Sequence, residues 1–337
     1  MKKEARILLS HGGGGKLAHQ LIRELIIPNF SNPILNRLDD SAVFNLKGRL
    51  AFTCDSFVVK PLFFRGGDIG RLAVFGTVND LAVMGAKPVY LSVGFIIEEG
   101  LEIKILEKII RSMKRAAEIS QVRIACGDLK VVEKNSADQI FINTNGIGVI
   151  ESEVEITSSN AKGEDKIIIN GFIGDHATAV MSARGDYKLK TPIRSDCAPL
   201  NEMIQKILKV CKNIHVMRDP TRGGVATTLN EIAISSNVEI EIYEDRLPIR
   251  EEVKGFCEIL GVDPLYMANE GKVIIFAPPK ESEKILRVMQ RHPLGRNASI
   301  IGRVTKKSKH PKVLIRTRIG SLRILDMLSG EQLPRIC

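Results

Sequence analysis

The second half of the chain alternates short apolar runs with segments of helical spacing, and this alternation limits the available folds more than any other feature. Runs rich in isoleucine and valine predict strands, and apolar residues three to four positions apart predict helices between them. The predicted strands are 166–171, 214–217, 238–243, 273–276 and 298–304, and the predicted helices begin at Asp175, Leu200, Gly224, Glu251 and Glu281. Such a chain is expected to fold as layers of helices packed on a sheet.

The first half contains the same two patterns. Strands are predicted at 50–59, 89–97, 122–126 and 140–150, and helices after a glycine run and along 106–117. A charged linker, 151–166, separates the two halves. The sequence therefore predicts two α/β domains, 1–155 and 166–310, followed by a C-terminal strand and a flexible arm at 311–337.

Length and composition exclude several classes of protein. With 337 residues, of which 44% are hydrophobic and 26% charged, the chain is long enough for two cores. No apolar run approaches the ~18 residues of a spanning helix, and the apolar run 7–9 is too short for a signal peptide. We therefore expect a cytoplasmic protein without a membrane segment. The six cysteines form no C-x-x-C pair, which argues against a zinc site or a disulfide framework.

The net charge of +10 raises nucleic acid binding as an alternative. However, only 5% of the residues are aromatic, tryptophan is absent, and the basic residues are scattered except at 303–323. A solvated face or an acidic protein partner explains such a local patch better than a nucleic acid does. We therefore predict no nucleic acid partner.

Four glycines at 12–15, between His11 and Lys16, precede the first predicted helix. Glycines at a helix start let the backbone approach a phosphate group. The run is not a P-loop, because Leu17 stands where that motif needs Ser or Thr. The chain also lacks a G-x-S-x-G motif, which excludes the oxyanion glycines of esterases. Taken alone, a glycine run is also explained as a mobile loop.

Four aspartates of the first half stand where predicted apolar segments meet polar turns. They are Asp40, Asp55, Asp80 and Asp128. Each one alone is explained as a turn residue or a helix cap. As a set at the ends of four elements they could converge, and carboxylate oxygens in that number suit Mg²⁺ that also holds nucleotide phosphates.

Two polar motifs of the second half contain residue types suited to catalysis. The segment 218–224, with Arg222 and Gly223, opens a helix whose N-terminus would face an anion. In the segment 268–272, the carboxylate of Glu270 and the amine of a lysine two positions later flank a turn before a strand. A surface turn with a solvated ion pair is the alternative for this second motif.

The last residue of the sequence is Cys337, and a terminal thiol can enter a pocket end-on. Pro334 favours extended geometry before it, and Gly320 and Gly330 are candidate pivots. The chain after Gly330 can reach about 23 Å at ~3.3 Å per residue. The pattern predicts a carrier arm, whereas a disordered end without function is the general alternative.

Together these motifs resemble those of the hydrogenase maturation family HypE, within the larger PurM-like ATP-binding group. The match runs in order over nearly the whole chain, and the terminal P-R-x-C is its most specific part. The matching segments are SHG at 10–12, LDDSA at 38–42, FTCDSFVV at 52–59, GTVNDLA at 76–82, GDLKVV at 127–132, DPTRGG at 219–224, NEGK at 269–272 and PRIC at 334–337. The resemblance implies a PurM-like α/β architecture of two domains with mixed sheets, a flexible tail and a homodimer.

The resemblance also implies a reaction. HypE-like proteins receive a carbamoyl group on the terminal cysteine from a HypF-type carbamoyltransferase. They then use ATP to dehydrate the thiocarboxamide to a thiocyanate, because the amide oxygen leaves only after it is phosphorylated. The cyanide passes to iron on a scaffold of HypC and HypD and becomes a ligand of the nickel–iron hydrogenase.

The same resemblance implies roles for particular residues. Cys337 would carry the carbamoyl group, and Glu270 and His11 are candidate bases for the amide protons. Lys130 and Arg222 are candidates to stabilise the transferred phosphoryl group or to position the amide oxygen. The expected magnesium ligands are Asp40, Asp55, Asp80 and Asp128, and the expected nucleotide-binding residues are Asn79, Asp80, Gly127, Asp128, Arg222 and Gly223.

Two residues depart from the family pattern. Leu129 stands in place of the usual Thr and removes a hydroxyl expected near ATP, whereas Ala177 replaces the usual Gly at a helix start, where Ala is tolerated. Two other functions stay open. One is a PurM-like ligase or synthase that acts on a free small substrate, with Cys337 incidental. The other is a non-catalytic scaffold that binds a maturation partner through 303–323.

Overall fold

The computed structural model describes residues 6–151, 153–185, 189–327 and 336. They form two main sheets, one of four strands from the first half of the chain and one of seven strands from the second half. The predicted α/β class is confirmed, and both sheets are mixed, since each contains parallel and antiparallel strand pairs. Within these described ranges, no helix is long and apolar enough to cross a bilayer.

The first half builds a sheet in the order β1-β6-β4-β5, in which β5 is parallel to β4 and the other pairs are antiparallel. A π-helical turn joins its first two helices. The elements are α1 Lys16–Leu21, α2 Ile27–Phe30, β1 Arg49–Phe57, β2 Phe63–Phe64, β3 Gly67–Asp68, α3 Ile69–Val83, β4 Ala86–Glu98, α4 Ile103–Ser120, β5 Arg123–Val132 and β6 Ile140–Ile150.

The second half builds a sheet in the order β13-β12-β9-β11-β7-β10-β8. Every strand and helix predicted there from apolar periodicity is present, with bounds that shift by a few residues. The elements are β7 Lys166–Ile169, α5 Asp175–Arg184, α6 Asn201–Val210, β8 Val216–Arg218, α7 Gly224–Ser236, β9 Val238–Tyr243, α8 Glu251–Leu260, β10 Ile274–Ala277, α9 Pro279–Gln290, β11 Ser299–Lys307, β12 Lys312–Arg316 and β13 Leu322–Leu325.

Helix α3 lies between the two halves and is buried on nearly every side. It contacts β1, β4 and β6 of the first sheet and also α6 and β8 of the second half. All of its residues except Arg71 and Asp80 are buried. A helix that is apolar all round has no amphipathic stripe. For this reason α3 was not predicted as a helix, and Asp80, which was expected where an apolar segment meets a turn, lies within it.

The amphipathic helix α4 was predicted correctly. Its buried residues include Leu106, Ile109, Ile110 and Met113, which recur at helical spacing. Strand β5, by contrast, continues well past its predicted end at Cys126. Asp128 therefore lies inside a strand rather than at a strand end, because β5 keeps its hydrogen bonds to β4 through the polar residues that follow.

The basic segment 303–323 lies on the last three strands and is largely paired with acidic neighbours. Arg316 Nε lies 2.7 Å from Glu241 Oε1, and Lys312 Nζ lies 3.4 Å from Glu239 Oε2. These pairs are partly exposed, so each contributes little to stability. They do reduce the net charge of the patch that a partner would meet.

Because α3 supplies packing to both halves, truncating one of its buried side chains should destabilise the whole protein. Leu72 on α3 is 0% exposed, and Leu72→Ala should lower the free energy of unfolding by about 2–5 kcal/mol. Ile259 on α8 is 69% exposed, and Ile259→Ala should change it by less than about 0.5 kcal/mol. Thermal unfolding midpoints of both variants measure the contrast, and equal midpoints would contradict the central position of α3.

Candidate active site

A cavity of about 340 Å³ lies between the glycine run 12–15 and strand β5. Gly12 rests directly against β5, because a Cβ at this position would lie 2.5 Å from the backbone nitrogen of Val131. The loop that carries Asp40 forms another wall, and Leu129 lines the cavity with an apolar side chain. The glycine run therefore borders an open cavity, as the backbone of a phosphate-binding loop must.

Four polar side chains that were predicted from the sequence line this cavity, namely His11, Asp40, Asp128 and Lys130. Lys130 Nζ lies 2.6 Å from both carboxylate oxygens of Asp128, and its hydrogen bond holds the pKa of Asp128 below the usual value. His11 is buried, and its Nδ1 accepts a hydrogen bond from the N–H of Leu8 at 2.9 Å. In this neutral form Nε2 carries the ring hydrogen, so His11 could accept a proton at Nε2 only in the other tautomer, whose Nδ1–H would donate to the carbonyl oxygen of Leu8 at 3.3 Å.

A second polar cluster lies where α3 meets the second half of the chain. It contains the carboxyl groups of Asp55 on β1, Asp80 on α3, Asp219 after β8 and Glu270 before β10, which interact electrostatically. The hydroxyl of Thr53 donates a hydrogen bond of 2.7 Å to Asp80 Oδ2. We call these four carboxyl groups the acidic cluster. Asp219 was not predicted as a site residue, since its turn motif suggested only an anion-binding helix start.

The pKa values of the acidic cluster show that its negative charge is not balanced. Burial and then the neighbouring Asp80 raise the pKa of Asp55 to about 7, and the same two causes raise the pKa of Asp219 to about 7. Burial, followed by Asp196 and Asp219, raises the pKa of Glu270 well above its usual value. Arg222 opposes this effect at Asp55, which places a cation near the cluster. A bound cation would stabilise such a group of carboxylates.

The four aspartates expected to bind magnesium do not converge within one chain. Across the sheet, Asp128 pairs with Gly94, Gly94 with Asn143 and Asn143 with Ser56, which is the neighbour of Asp55. Successive side chains of a strand point to opposite faces, so Asp128 and Asp55 lie on opposite faces of the sheet. The strands that carry them are three strand spacings apart, or roughly 14 Å.

Within the part of the chain that the structure describes, no three His, Cys, Asp or Glu side chains are grouped closely enough to hold a metal ion. Asp55 and Asp80 instead form one pair in the acidic cluster, while Asp40 and Asp128 both line the glycine-run cavity. The single centre suggested by the sequence is thus divided into two pairs. The assignment of all four aspartates as magnesium ligands stays a prediction.

Asn79, which was expected to bind the nucleotide, is buried where α3 meets the second half of the chain. It is 1% exposed, and its Nδ2 donates hydrogen bonds to the carbonyl oxygens of Glu270 at 3.0 Å and Ala198 at 3.1 Å. Its Oδ1 accepts the N–H of Leu200 at 2.8 Å. Asn79 therefore joins α3 to the second half of the chain and holds the backbone of Glu270.

Asp196 holds the same segment from the other side and was missed by the sequence analysis. Its oxygens accept the N–H groups of Glu270 at 3.1 Å and Gly271 at 3.3 Å, and the ammonium of Lys272 at 2.8 Å. Burial opposes the charge of Asp196, but Lys272 holds its pKa below the usual value. No local pattern marks this residue, because its partners lie more than seventy positions away.

The predicted glycines owe their positions to packing. A Cβ at Gly223 would lie 2.1 Å from Thr227 Oγ1, and the residue has φ +71° where α7 begins. A Cβ at Gly127 would lie 2.6 Å from the carbonyl oxygen of Val93 on β4. Arg222 is exposed beside Gly223, next to the acidic cluster. Packing therefore requires glycine at both positions, and the assignment of these residues to nucleotide binding stays a prediction.

The predicted carrier residue Cys337 lies outside the described residues. Its neighbour Ile336 is described and is buried in the core that includes Ala177 of α5 and Val253 of α8. The carbonyl oxygen of Ile336 lies 3.1 Å from His176 Nε2. Ile336 is therefore docked against α5 of the second half of the molecule.

Comparisons with known proteins agree with this architecture. Two family models match the chain: "AIR synthase related protein, N-terminal domain" over residues 38–150 and "AIR synthase related protein, C-terminal domain" over residues 162–313. Carbamoyl dehydratase HypE of Rhodobacter capsulatus is 46% identical over 99% of this chain and 99% of its own length. Carbamoyl dehydratase HypE of Escherichia coli K12 is 40% identical over 98% of this chain and 99% of its own length.

Solved structures give the same result. The crystal structure of hydrogenase maturation protein HypE in complex with ATP superposes with a TM-score of 0.94 and 46% identity over 98% of this chain and 99% of that one. The HypE of a HypE–HypF complex superposes with a TM-score of 0.81 and 50% identity over 91% of this chain and 99% of that one. Thiamine monophosphate kinase from Aquifex aeolicus, at 20% identity and a TM-score of 0.62, shares the fold alone.

The acidic cluster predicts a pH dependence of stability. The pKa of Asp219 rises from 3.8 to about 7 on folding, so the folded state binds the extra proton between these values. Stability should therefore fall as the pH rises through this window, because the folded carboxylate must ionise in a buried acidic site. Asp219→Asn should stabilise the ligand-free protein by on the order of 1–3 kcal/mol at pH 8 and by little at pH 4.

Thermal unfolding midpoints at the two pH values, without divalent cations, measure this difference. Asp245→Asn is the matched control, since Asp245 is exposed on a short turn. Equal effects of the two substitutions at pH 8 would show that the acidic cluster does not strain the folded state.

Proposed function

The chain belongs to the HypE family of AIR synthase-related proteins, and we propose that its acidic cluster and its glycine-run cavity perform the reaction of that family. The protein is an ATP-dependent carbamoyl dehydratase of hydrogenase maturation, and its carbamoyl donor is a HypF-type protein. The observation that carries the assignment of the site is the buried Glu270 of the acidic cluster, whose backbone is held by Asn79 and Asp196.

The reaction removes one oxygen and two protons from a carboxamide bound to sulfur. ATP transfers its γ-phosphoryl group to the amide oxygen, which turns a poor leaving group into phosphate. The carbon–oxygen bond then breaks, both N–H protons leave, and a thiocyanate remains on Cys337. The protein must therefore hold the tail, the phosphates and a base in one place.

Glu270 suits the role of the base. Its side chain is 4% exposed, and the raised pKa makes its carboxylate a stronger proton acceptor once it is ionised. Asn79 and Asp196 hold its backbone from two sides, so the carboxyl group starts from a fixed position. His11 is kept as a second candidate base at the glycine-run cavity.

The glycine-run cavity is proposed to take ATP, as in the HypE structure solved with this nucleotide. The proposed nucleotide contacts include Asp80, Gly127, Asp128, Arg222 and Gly223, whereas Asn79 would act by supporting Glu270. The unbalanced acidic cluster also fits a divalent cation with a preference for oxygen ligands, held by Asp55 and Asp80. When bound, Mg²⁺ neutralises phosphate charge. Asp40 and Asp128 would provide the second pair of carboxylates.

Lys130 and Asp128 are proposed to act across a homodimer. They lie on the outer face of the first sheet, opposite to Asp55. The same face exposes Phe52 by 72% and Ile96 by 45%, which is apolar surface suited to a second copy of the chain. In such a dimer Lys130 of one copy would stabilise the phosphoryl group in the site of the other.

The remaining assignments follow from the family and are proposals for this chain. The cyanide would pass to iron on a scaffold of HypC and HypD, in the cytoplasm. The domain bounds 1–155 and 166–310 stay predictions. The segment 311–337, which was predicted as a C-terminal strand and arm, contributes β12 and β13 to the second sheet before the tail.

Intact mass tests the function directly. Incubation of the full chain with a HypF-type carbamoyltransferase and its substrates should add about 43 Da, and ATP with Mg²⁺ should then remove about 18 Da. Cys337→Ala should acquire neither change, because the attacking thiol is absent. A dehydratase that acts on a free substrate would consume ATP at constant protein mass, and this result would contradict the carrier function.

Removal of the proposed base should separate the two steps. Glu270→Gln should accept the carbamoyl group normally but form thiocyanate about 10²–10⁴-fold more slowly, since proton removal would lack its acceptor. Glu258→Gln, on the exposed face of α8, is the matched control and should behave as the wild type. Rates come from the time course of the 18 Da loss, and wild-type speed in Glu270→Gln would exclude Glu270 as the base.

A further inference from the structure

His176 holds the last described residue of the chain. Its Nε2 lies 3.1 Å from the carbonyl oxygen of Ile336, and its ring is completely buried. In the sequence this carbonyl carbon is bonded to the nitrogen of Cys337. The side chain of Ile336 is itself buried in an apolar core. The contact therefore acts one peptide bond away from the residue that carries the substrate.

The partners of His176 determine which nitrogen carries the proton. A carbonyl oxygen only accepts, so Nε2 must hold the hydrogen and donate it to Ile336. Burial lowers the pKa of His176, so the ring is neutral and Nδ1 must accept. Ser195 Oγ lies 2.8 Å from Nδ1 and also accepts the N–H of Cys197 at 3.1 Å, which leaves its own hydrogen to donate to His176. Ser195 thus selects the tautomer that binds the tail.

The backbone around His176 is tied to the segment that carries Glu270. Gly174 donates its N–H to Asn269 Oδ1 at 2.8 Å, and Ala177 donates its N–H to the carbonyl oxygen of Ala268 at 3.3 Å. On the other side, Ser195 is followed by Asp196, which accepts the N–H of Glu270. His176 and Ser195 are therefore both held in fixed positions relative to Glu270, the proposed base.

We propose that His176, oriented by Ser195, is a positioning residue that docks the end of the chain so that the group on Cys337 is presented to Glu270. The docking stands on the hydrogen bonds just described, whereas its value for catalysis rests on the proposed function. Loss of the Nε2 donor leaves a buried carbonyl without a partner, which favours the undocked tail by roughly tenfold.

Thiol labelling of the full chain tests the docking without any catalytic assay. The rate of alkylation of Cys337 by iodoacetamide, read from the C-terminal peptide by mass spectrometry, should rise roughly tenfold in His176→Asn. Asn keeps a polar group near Nδ1 but does not reach Ile336. His176→Gln places an amide donor near Nε2 and should return the rate toward that of the wild type. Cys54, which is exposed on β1, reports whether the body of the protein is unchanged.

His215→Asn is the matched control, since His215 is also a buried histidine but pairs with Asp165. It should leave the labelling of Cys337 as in the wild type. If His176→Asn fails to fold, Ser195→Ala provides the test, because loss of the Nδ1 partner should also speed labelling. Wild-type labelling of Cys337 in folded His176→Asn, or equal rates in the Asn and Gln variants, would overturn the proposal.

On carbamoylated protein, His176→Asn should lower kcat for dehydration and leave KM for ATP unchanged, because His176 neither lines the glycine-run cavity nor belongs to the proposed nucleotide contacts. A merely structural defect would change both values. If the wild type itself forms no thiocyanate, the proposed function fails, while the labelling result still decides whether His176 docks the tail.

Discussion

The hydrogen bonds of Asn79 join the two halves of the molecule, and the proposed active site depends on them. Asn79 is carried by the buried helix α3, and its side chain reaches the backbone of Glu270, Ala198 and Leu200. Since both its amide and its carbonyl group are engaged inside the protein, the two halves are held in one arrangement. The acidic side chains of α3 and β1 therefore face those of the second half at short range.

That arrangement lowers the stability of the fold, but it places carboxyl groups where they can bind a cation or accept a proton. Burial disfavours the charged form of these carboxyl groups and Asp80 repels them, which is why the pKa values of Asp55 and Asp219 rise to about 7. A protein selected only for stability would pair each of them with a cation, as it does Asp196 with Lys272. The unpaired carboxylates instead leave an excess of negative charge. A bound metal ion can balance this charge and can bind the phosphates of a nucleotide at the same time. The carboxylate of Glu270 becomes a stronger base in the same environment.

Some elements were predictable because their signal is local. Helix α4 and strand β6 show the 3.6-residue and two-residue repeats of a half-buried element, and both were found where expected. Helix α3 has no such repeat, since it is buried on nearly every side, and it was not recognised as a helix. Asp196 and His176 were missed for another reason: the partners that define their roles come from distant parts of the chain.

The sequence by itself determined most of the strands and helices, the α/β class, the family and most of the polar residues of the site, because these depend on local spacing and short motifs. Only the tertiary structure decided which of those residues meet. Asp55 and Asp128 stand in similar motifs, yet the register across β1, β6, β4 and β5 puts them on opposite faces of one sheet. The physical reason is that a shift of one residue in register reverses every side chain of a strand, and register depends on contacts between segments far apart in sequence.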